Sequence, residues 1–543
     1  MKTNSNPPLA GQGIRQSMSS LHTWVGLLLG WFLYAMFLTG TVSYFKDELS
    51  QWARPELARL AEMPDQAVVA QRVANELANV APGSSQWSMR LPDARNNSVS
   101  AFWRTGTRGG GGQRGFGEGN FDPSTGQKVA SRETTGGEFF FRFHFQFHYM
   151  PVFWGRWLAG IAAMFMLIAI VSGVITHKKI FIDFFTFRWG KGQRSWLDAH
   201  NALSVFGLPF HFMITYSGLV TMMAMYMPWG ETAAFKNPAE RQELTAQLST
   251  FTPPGRPTGQ KAPLASIEDM VRQAQERWGR DNVGRVTAMN PGDAAARVAV
   301  TRGDFGRVSM SPQFMEFEGT TGKLLTVRDN VGAAAETRGV VYALHLGRFS
   351  DTATRWFYFI VSFMGTAMVG TGLVMWTVKR RQKLPNPDRP YFGFFLVERL
   401  NIASIAGLSI AMTAFLWANR LLPQPLAGRA DWEIHVFFAV WAATLLHALI
   451  RPAKAAWVEQ LWAASALLLL LPVLNAVTTQ RPLWRSLTDG DWIFAGIDIM
   501  CAVFALLHAV LALRAARQPT PSAAKRDRNR SAPAAVASAE GAA

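Results

Sequence analysis

Four histidines stand at matched places in two halves of this sequence. His22 lies eighteen residues before Gly40 in Leu38-Thr39-Gly40, and His200 lies eighteen residues before Gly218 in Tyr216-Ser217-Gly218. His148 and His345 follow Gly126 and Gly322 by 22 and 23 residues. Each is followed by an Arg-Trp pair, Arg156-Trp157 or Arg355-Trp356, at the mouth of an apolar run that ends in Ser172-Gly173 or Thr371-Gly372. All ten histidines fall within or beside apolar stretches of membrane length. Imidazole is costly in hydrocarbon, so histidines facing a shared membrane interior are functional-site candidates. A neutral imidazole there commonly holds a metal, haem iron included.

Composition narrows that chemistry. Of 543 residues, 49% are hydrophobic and 17% charged, a membrane-like balance. The single cysteine, Cys501, excludes internal disulfides, thiolate-held iron–sulfur clusters and CxxCH haem attachment. Any haem would therefore be non-covalent, haem b. The formal charge of +17 clusters beside apolar segments, which reads as membrane topology and not as a nucleic-acid surface. Neither Gly11-Gln12-Gly13 nor the run Gly109 to Gly112 sits in a strand–turn–helix setting, so no flavin, nicotinamide or phosphate fingerprint is evident.

Eight stretches can span the roughly 30 Å hydrocarbon core. The expected order is a cytoplasmic N-terminus (1–21), a first span (22–45), an outside domain (46–151) and a second span (152–176). A cytoplasmic loop (177–200), a third span (201–227), a second outside domain (228–353) and a fourth span (354–377) repeat that order. A cytoplasmic loop (378–395) leads into a four-helix membrane extension (396–514), with spans near 396–418, 432–450, 457–475 and 492–514. A disordered tail (515–543) follows. The first span is too long for a signal h-region and lacks a cleavage site, so it reads as retained. Lys and Arg cluster after spans two, four, six and eight, which places both termini in the cytoplasm.

The helix–domain–helix unit thus occurs twice in the same orientation, an internal duplication with a pseudo-twofold axis along the membrane normal. Phe121-Asp122-Pro123-Ser124-Thr125-Gly126 and Phe317-Glu318-Gly319-Thr320-Thr321-Gly322 read as matching hairpin turns. The symmetry pairs His22 with His200 near the cytoplasmic face and His148 with His345 near the outer face, as two bis-histidine haems require. His144 is the first reserve, since it precedes His148 by four residues and shares its helical face. His177 and His211 are further reserves, although Trp376 and Leu33 occupy their equivalent positions. His211 lies about three turns, roughly 16 Å, beyond His200 on one helical face. His435, His447 and His508 read as packing or lipid-side residues. Arg15, Arg156, Arg348 and Arg355 are candidate partners for haem propionates, or interface anchors.

These residues resemble the PepSY-associated transmembrane family of bacteria. The resemblance rests on Leu21-His22-Thr23-Trp24-Val25-Gly26, Asp198-Ala199-His200-Asn201, Leu344-His345-Leu346-Gly347-Arg348-Phe349 and Thr371-Gly372-Leu373-Val374-Met375-Trp376, and it covers about residues 10–385. It implies an α-helical integral inner-membrane protein carrying two small α+β PepSY-like periplasmic domains. Some members resemble iron-regulated ferric-siderophore reductases with two b haems. The expected function is an electron conduit: an electron enters at His22/His200 from a donor protein or a quinol, passes to His148/His345 and reduces a periplasmic ferric chelate for iron acquisition. Two other readings stay open. One is a membrane-anchored PepSY regulator or inhibitor of peptidases without a redox cofactor. The other is a permease with a histidine proton relay.

Overall fold

The computed structural model describes residues 13–518, apart from 58–61, 94, 106–114, 178–181, 183, 186–187, 189, 191 and 252–255. The glycine run at 109–112 and nearly all of the expected tail lie outside the described residues. Helices α1 (Ile14–Leu28), α2 (Gly30–Ser43) and α3 (Lys46–Trp52) open the chain. They are followed by α4 (Gln66–Val80), α5 (Gly137–Gln146), α6 (Val152–Thr176), α7 (Gln193–Phe206) and α8 (Leu208–Thr221). After three short helices between 223 and 247 come α9 (Ile267–Trp278), α10 (Ala333–Leu346) and α11 (Thr352–Arg381). The extension holds α12 (Phe392–Ile402), α13 (Leu408–Leu421), α14 (Arg429–Ile450), α15 (Ala453–Thr478) and α16 (Trp492–Arg517).

Among the described residues six helical stretches are long and apolar enough to cross a membrane, or eight if two bent pairs each count as one span. The first and third expected spans, 22–45 and 201–227, fall on those bent pairs, with α1 meeting α2 at 65° and α7 meeting α8 at 68°. Pro209 stands at the second position of α8, where it starts a helix easily but cannot continue the previous one. At the first break a Cβ on Gly30 would lie 2.6 Å from Leu373 Cδ2, so the missing side chain admits α11 against the bend. Each break falls seven residues after its histidine, beyond Leu28 and Phe206.

The two segments expected as small α+β domains supply the strands of one eight-stranded antiparallel sheet of order β4-β3-β2-β1-β5-β6-β7-β8. Strands β1 (Ser84–Arg90), β2 (Val99–Thr105), β3 (Phe116–Phe121) and β4 (Lys128–Val129) come from the first segment. The second supplies β5 (Val283–Met289), β6 (Arg297–Arg302), β7 (Phe314–Glu318) and β8 (Leu324–Arg328). The seam is the β1–β5 pair, registered from Gln86↔Met289 to Arg90↔Arg285. Joining there hides one edge of each half, which otherwise would offer unpaired backbone groups.

Helices α4 and α9 cover the sheet. Asp65 caps α4 by accepting from Ala67 N, and Ser266 caps α9 by accepting from Asp269 N. Their apolar residues recur at helical spacing (Ala70, Val73, Leu77; Ile267, Val271, Ala274) and pack on Trp87, Met89, Val286 and Val300. Both turn motifs form hairpins, with Gly126 at φ 77° and Gly322 at φ 74°. Their amides donate to Asp122 O at 2.7 Å and Glu318 O at 2.9 Å.

The extension is fastened to this outside layer by buried charge. Arg429 and Glu433 are fully buried and paired at 2.5 Å. Glu433 also accepts from Asn419 Nδ2 at 2.9 Å and from the Thr134 hydroxyl. Arg132 donates to Asn419 O at 2.7 Å, and Arg420 donates to Trp52 O at 2.7 Å. Removing one member of such a pair leaves a buried uncompensated charge, which costs about 3–5 kcal/mol. Glu433→Ala is therefore expected to lower the thermal midpoint in detergent clearly, whereas an exposed control, Glu240→Ala, leaves it unchanged.

Candidate functional site, two facing imidazole pairs

Each of four histidines reaches a neighbouring helix in the same way. His22 on α1 lies over Gly173 of α6, and its Nδ1 is 2.9 Å from Ala169 O. His200 on α7 lies over Gly372 of α11, with Nδ1 2.9 Å from Met368 O. His144 on α5 lies over Gly40 of α2, with Nδ1 2.6 Å from Met36 O. His345 on α10 lies over Gly218 of α8, hydrogen-bonded to the backbone of Ile214 and 3.1 Å from Ser217 Oγ. In every case the backbone partner stands four residues before the glycine, one helical turn away. The glycine supplies the gap through which the ring reaches that carbonyl.

The hydrogen bonds fix the tautomer. A carbonyl only accepts, so Nδ1 carries the proton and Nε2 keeps its lone pair. These rings stand in two pairs with centroids 6.2 Å apart, His22 and His200 edge-on at 68° and His144 and His345 tilted at 32°. A nitrogen–metal bond of about 2 Å puts each ring centre about 3 Å from the metal, so two axial imidazoles span roughly 6 Å. Both pairs match that span. Among the described residues no three His, Cys, Asp or Glu side chains converge on a point. Two imidazoles by themselves would hold a metal only if a bound group supplied its remaining donors.

His144 and His345 both line a cavity that opens to solvent. Leu33, Met36, Phe37, Ala163 and Met166 make its walls apolar, while Lys46, Arg95 and Arg348 bring positive charge into its lining. The same cavity includes Asp47, whose carboxyl is buried, which opposes ionisation, yet Arg90 and Lys46 hold it well below the usual carboxylate range.

The expected site residues divide accordingly. His22 and His200 come together. His345 meets His144, the first reserve, and not His148. His148 lies beyond the end of α5, stacked on Phe438 and edge-on to Phe139. Phe147 and Tyr149 on either side of it have φ of 54° and 55°, a turn that swings His148 off the helical face of His144. His177 follows the last residue of α6, its backbone N–H bonded to Gly173 O. His211 is buried against Phe37, with its Nε2 3.3 Å from Val361 O, away from both pairs.

Of the arginines, Arg348 lines the cavity. Arg15 donates to Thr176 O at 2.8 Å near the inner pair's helices. Arg156 donates to Gln146 Oε1 at 3.2 Å, and Arg355 is buried in an ion pair with Glu48, so it is already neutralised. Lys46 and Arg95 were missed. Lys46 had a signal, being the first charge after an apolar span, whereas Arg95 lies far along the outside segment with none.

The family description "PepSY-associated TM region" matches residues 19–379. An uncharacterized protein of Pseudomonas aeruginosa is 24% identical over 385 residues, covering 67% of this chain and 92% of its own length.

Proposed function

Since the chain belongs to the PepSY-associated TM region family, whose members are integral membrane proteins, we propose that it is a di-haem b electron conduit. In this reading it sits in the bacterial inner membrane with both termini cytoplasmic. It passes electrons to a ferric chelate, such as a ferric siderophore, on the periplasmic side. The observation that carries the reading is the two imidazole couples with centroids 6.2 Å apart, each ring with its Nδ1 tied to a neighbouring helix. His22 and His200 would hold the inner haem; His144 and His345 the outer one. We further propose that the two halves arose by internal duplication and that the joined sheet is a pair of PepSY-like modules.

When bound, haem supplies a one-electron couple on each side of the bilayer. The protein's own residues do the rest. The Nδ1–carbonyl bonds set ring orientation and raise the basicity of Nε2. The apolar walls exclude water. Lys46, Arg95 and Arg348 offer cations to the propionates of the outer group. A ferric chelate reduced by one electron holds its metal less tightly, because the larger ferrous ion suits hard oxygen donors less well.

The protein purified from haem-replete cells is expected to show a Soret band, with sharp α bands after dithionite. A colourless preparation would refute the proposal.

A further inference from the structure

The extension α12–α16 carries an ionisable cluster within its long apolar helices. Glu459 stands six residues into α15, about 9 Å along its axis. Its carboxylate accepts from His447 Nε2 at 2.8 Å and from Arg451 Nε at 3.0 Å. Gln460 Nε2 donates to His447 Nδ1 at 3.2 Å and to Thr444 O at 2.7 Å. The tautomer is therefore fixed: Nδ1 accepts, and Nε2 delivers its proton toward Glu459. Gln460 is 3% exposed, and its Oε1 has no hydrogen-bond partner. Interface anchoring needs only Arg451. A carboxylate–imidazole pair kept about one-third open within a membrane-spanning helix pair calls for another reason.

The helix opposite is irregular at the same place. Residues Ala403–Gly407 form a π-turn between α12 and α13, a feature frequent at functional sites. A Cβ on Gly407 would lie 2.3 Å from Thr444 Oγ1 and 3.3 Å from Gln460 Oε1, so this glycine lets the π-turn approach the cluster. Trp441 ties the π-turn to α14 through Ala403 O at 2.9 Å. From there one packed apolar core runs through Ile405 to Met368, whose carbonyl holds His200. A polar link runs beside it: Trp31 donates to Asn401 at 2.9 Å, and Asn401 donates to Leu373 O at 3.0 Å, next to Gly372.

We propose that His447, Glu459 and Gln460 form a site that oxidises a membrane hydroquinone, and that the extension couples the quinol pool to the inner histidine pair. The proposal rests on the di-haem reading for its electron acceptor. A hydroquinone is flat, lipid-soluble and loses two phenolic protons on oxidation. Its hydroxyl donates to His447 Nδ1 in place of Gln460, whose amide turns to the ring oxygen. With haem bound between His22 and His200, the hydroquinone would give two electrons, one at a time, to that acceptor and become the quinone. Both protons leave in turn through His447 to Glu459 and out beside Arg451. One hydroquinone and two ferric irons thus yield one quinone, two ferrous irons and two protons.

The test uses the full chain in lipid nanodiscs. An azidoquinone is expected to label peptides within 441–462, and Glu459→Gln and His447→Leu are expected to lose that label. With duroquinol as reductant, both variants should reduce haem at least about tenfold more slowly than the parent, while the dithionite-reduced spectrum stays unchanged. Reduction by duroquinol at the parent rate in both variants overturns the site, as does labelling that falls elsewhere. If the chain binds no haem, the conduit fails, and labelling within 441–462 still supports the quinone site.

Discussion

His144→Ala is expected to remove one of two haems, leaving about half the reduced α-band amplitude, whereas His148→Ala retains both. The two residues stand four apart and have the same chemistry, so the contrast isolates geometry. His144 meets His345 at 6.2 Å, with its Nδ1 bonded to Met36 O at 2.6 Å. His148 sits among Phe139, Tyr149 and Phe438, beyond the positive-φ residue Phe147. Truncating His148 removes ring contacts at the mouth of α6 but no axial nitrogen. His345→Ala should reproduce the His144→Ala spectrum. His22→Ala and His200→Ala should share a second spectrum, with the other haem missing. Haem content from the pyridine haemochrome and low-spin resonance signals would sort the four variants. If His148→Ala loses a haem and His144→Ala keeps both, the outer pair is misassigned.

The pair His22 and His200 was legible because it repeats in the sequence: each precedes a glycine by eighteen residues, and the helix break between them falls at the same place in both copies. The outer pair was only half legible. Helical periodicity puts His144 and His148 on one face, and nothing local distinguishes them. The choice is made by Phe147 leaving the helix, a backbone event that an ordinary phenylalanine does not advertise. The bends at Leu29 and Gly207 were hidden for a similar reason, since hydropathy counts apolar residues and is blind to direction. The joined sheet could not be read either, because Ser88 and Thr287 face each other across 199 residues of chain. The glycines were visible as small residues for helix packing. Their relation to the histidines appears only when each is seen one turn after the carbonyl that an imidazole uses.

That relation predicts which substitutions remove which haem without touching a ligand. A methyl at position 40 would lie 2.7 Å from both Cε1 and Nδ1 of His144. The ring cannot yield far, because His345 stands beside it with its centroid 6.2 Å away. Gly40→Ala must therefore push the imidazole off Met36 O or part α2 from α5. Losing the hydrogen bond costs about 1 kcal/mol and the overpacking about 1–3 kcal/mol. Together these weaken outer-haem affinity by roughly 30- to 1000-fold. At position 372 the nearest ring atom would be 3.2 Å away, a contact that a few tenths of an ångström relieve. Gly372→Ala should then leave the inner haem bound with a shifted potential, and Gly372→Leu should expel it. Titrating haem into protein expressed without it would measure both effects. Equal losses from Gly40→Ala and Gly372→Ala would show that these glycines serve helix packing alone. Loss of only the outer haem from Gly40→Ala would show that the gap over each glycine is part of the binding site.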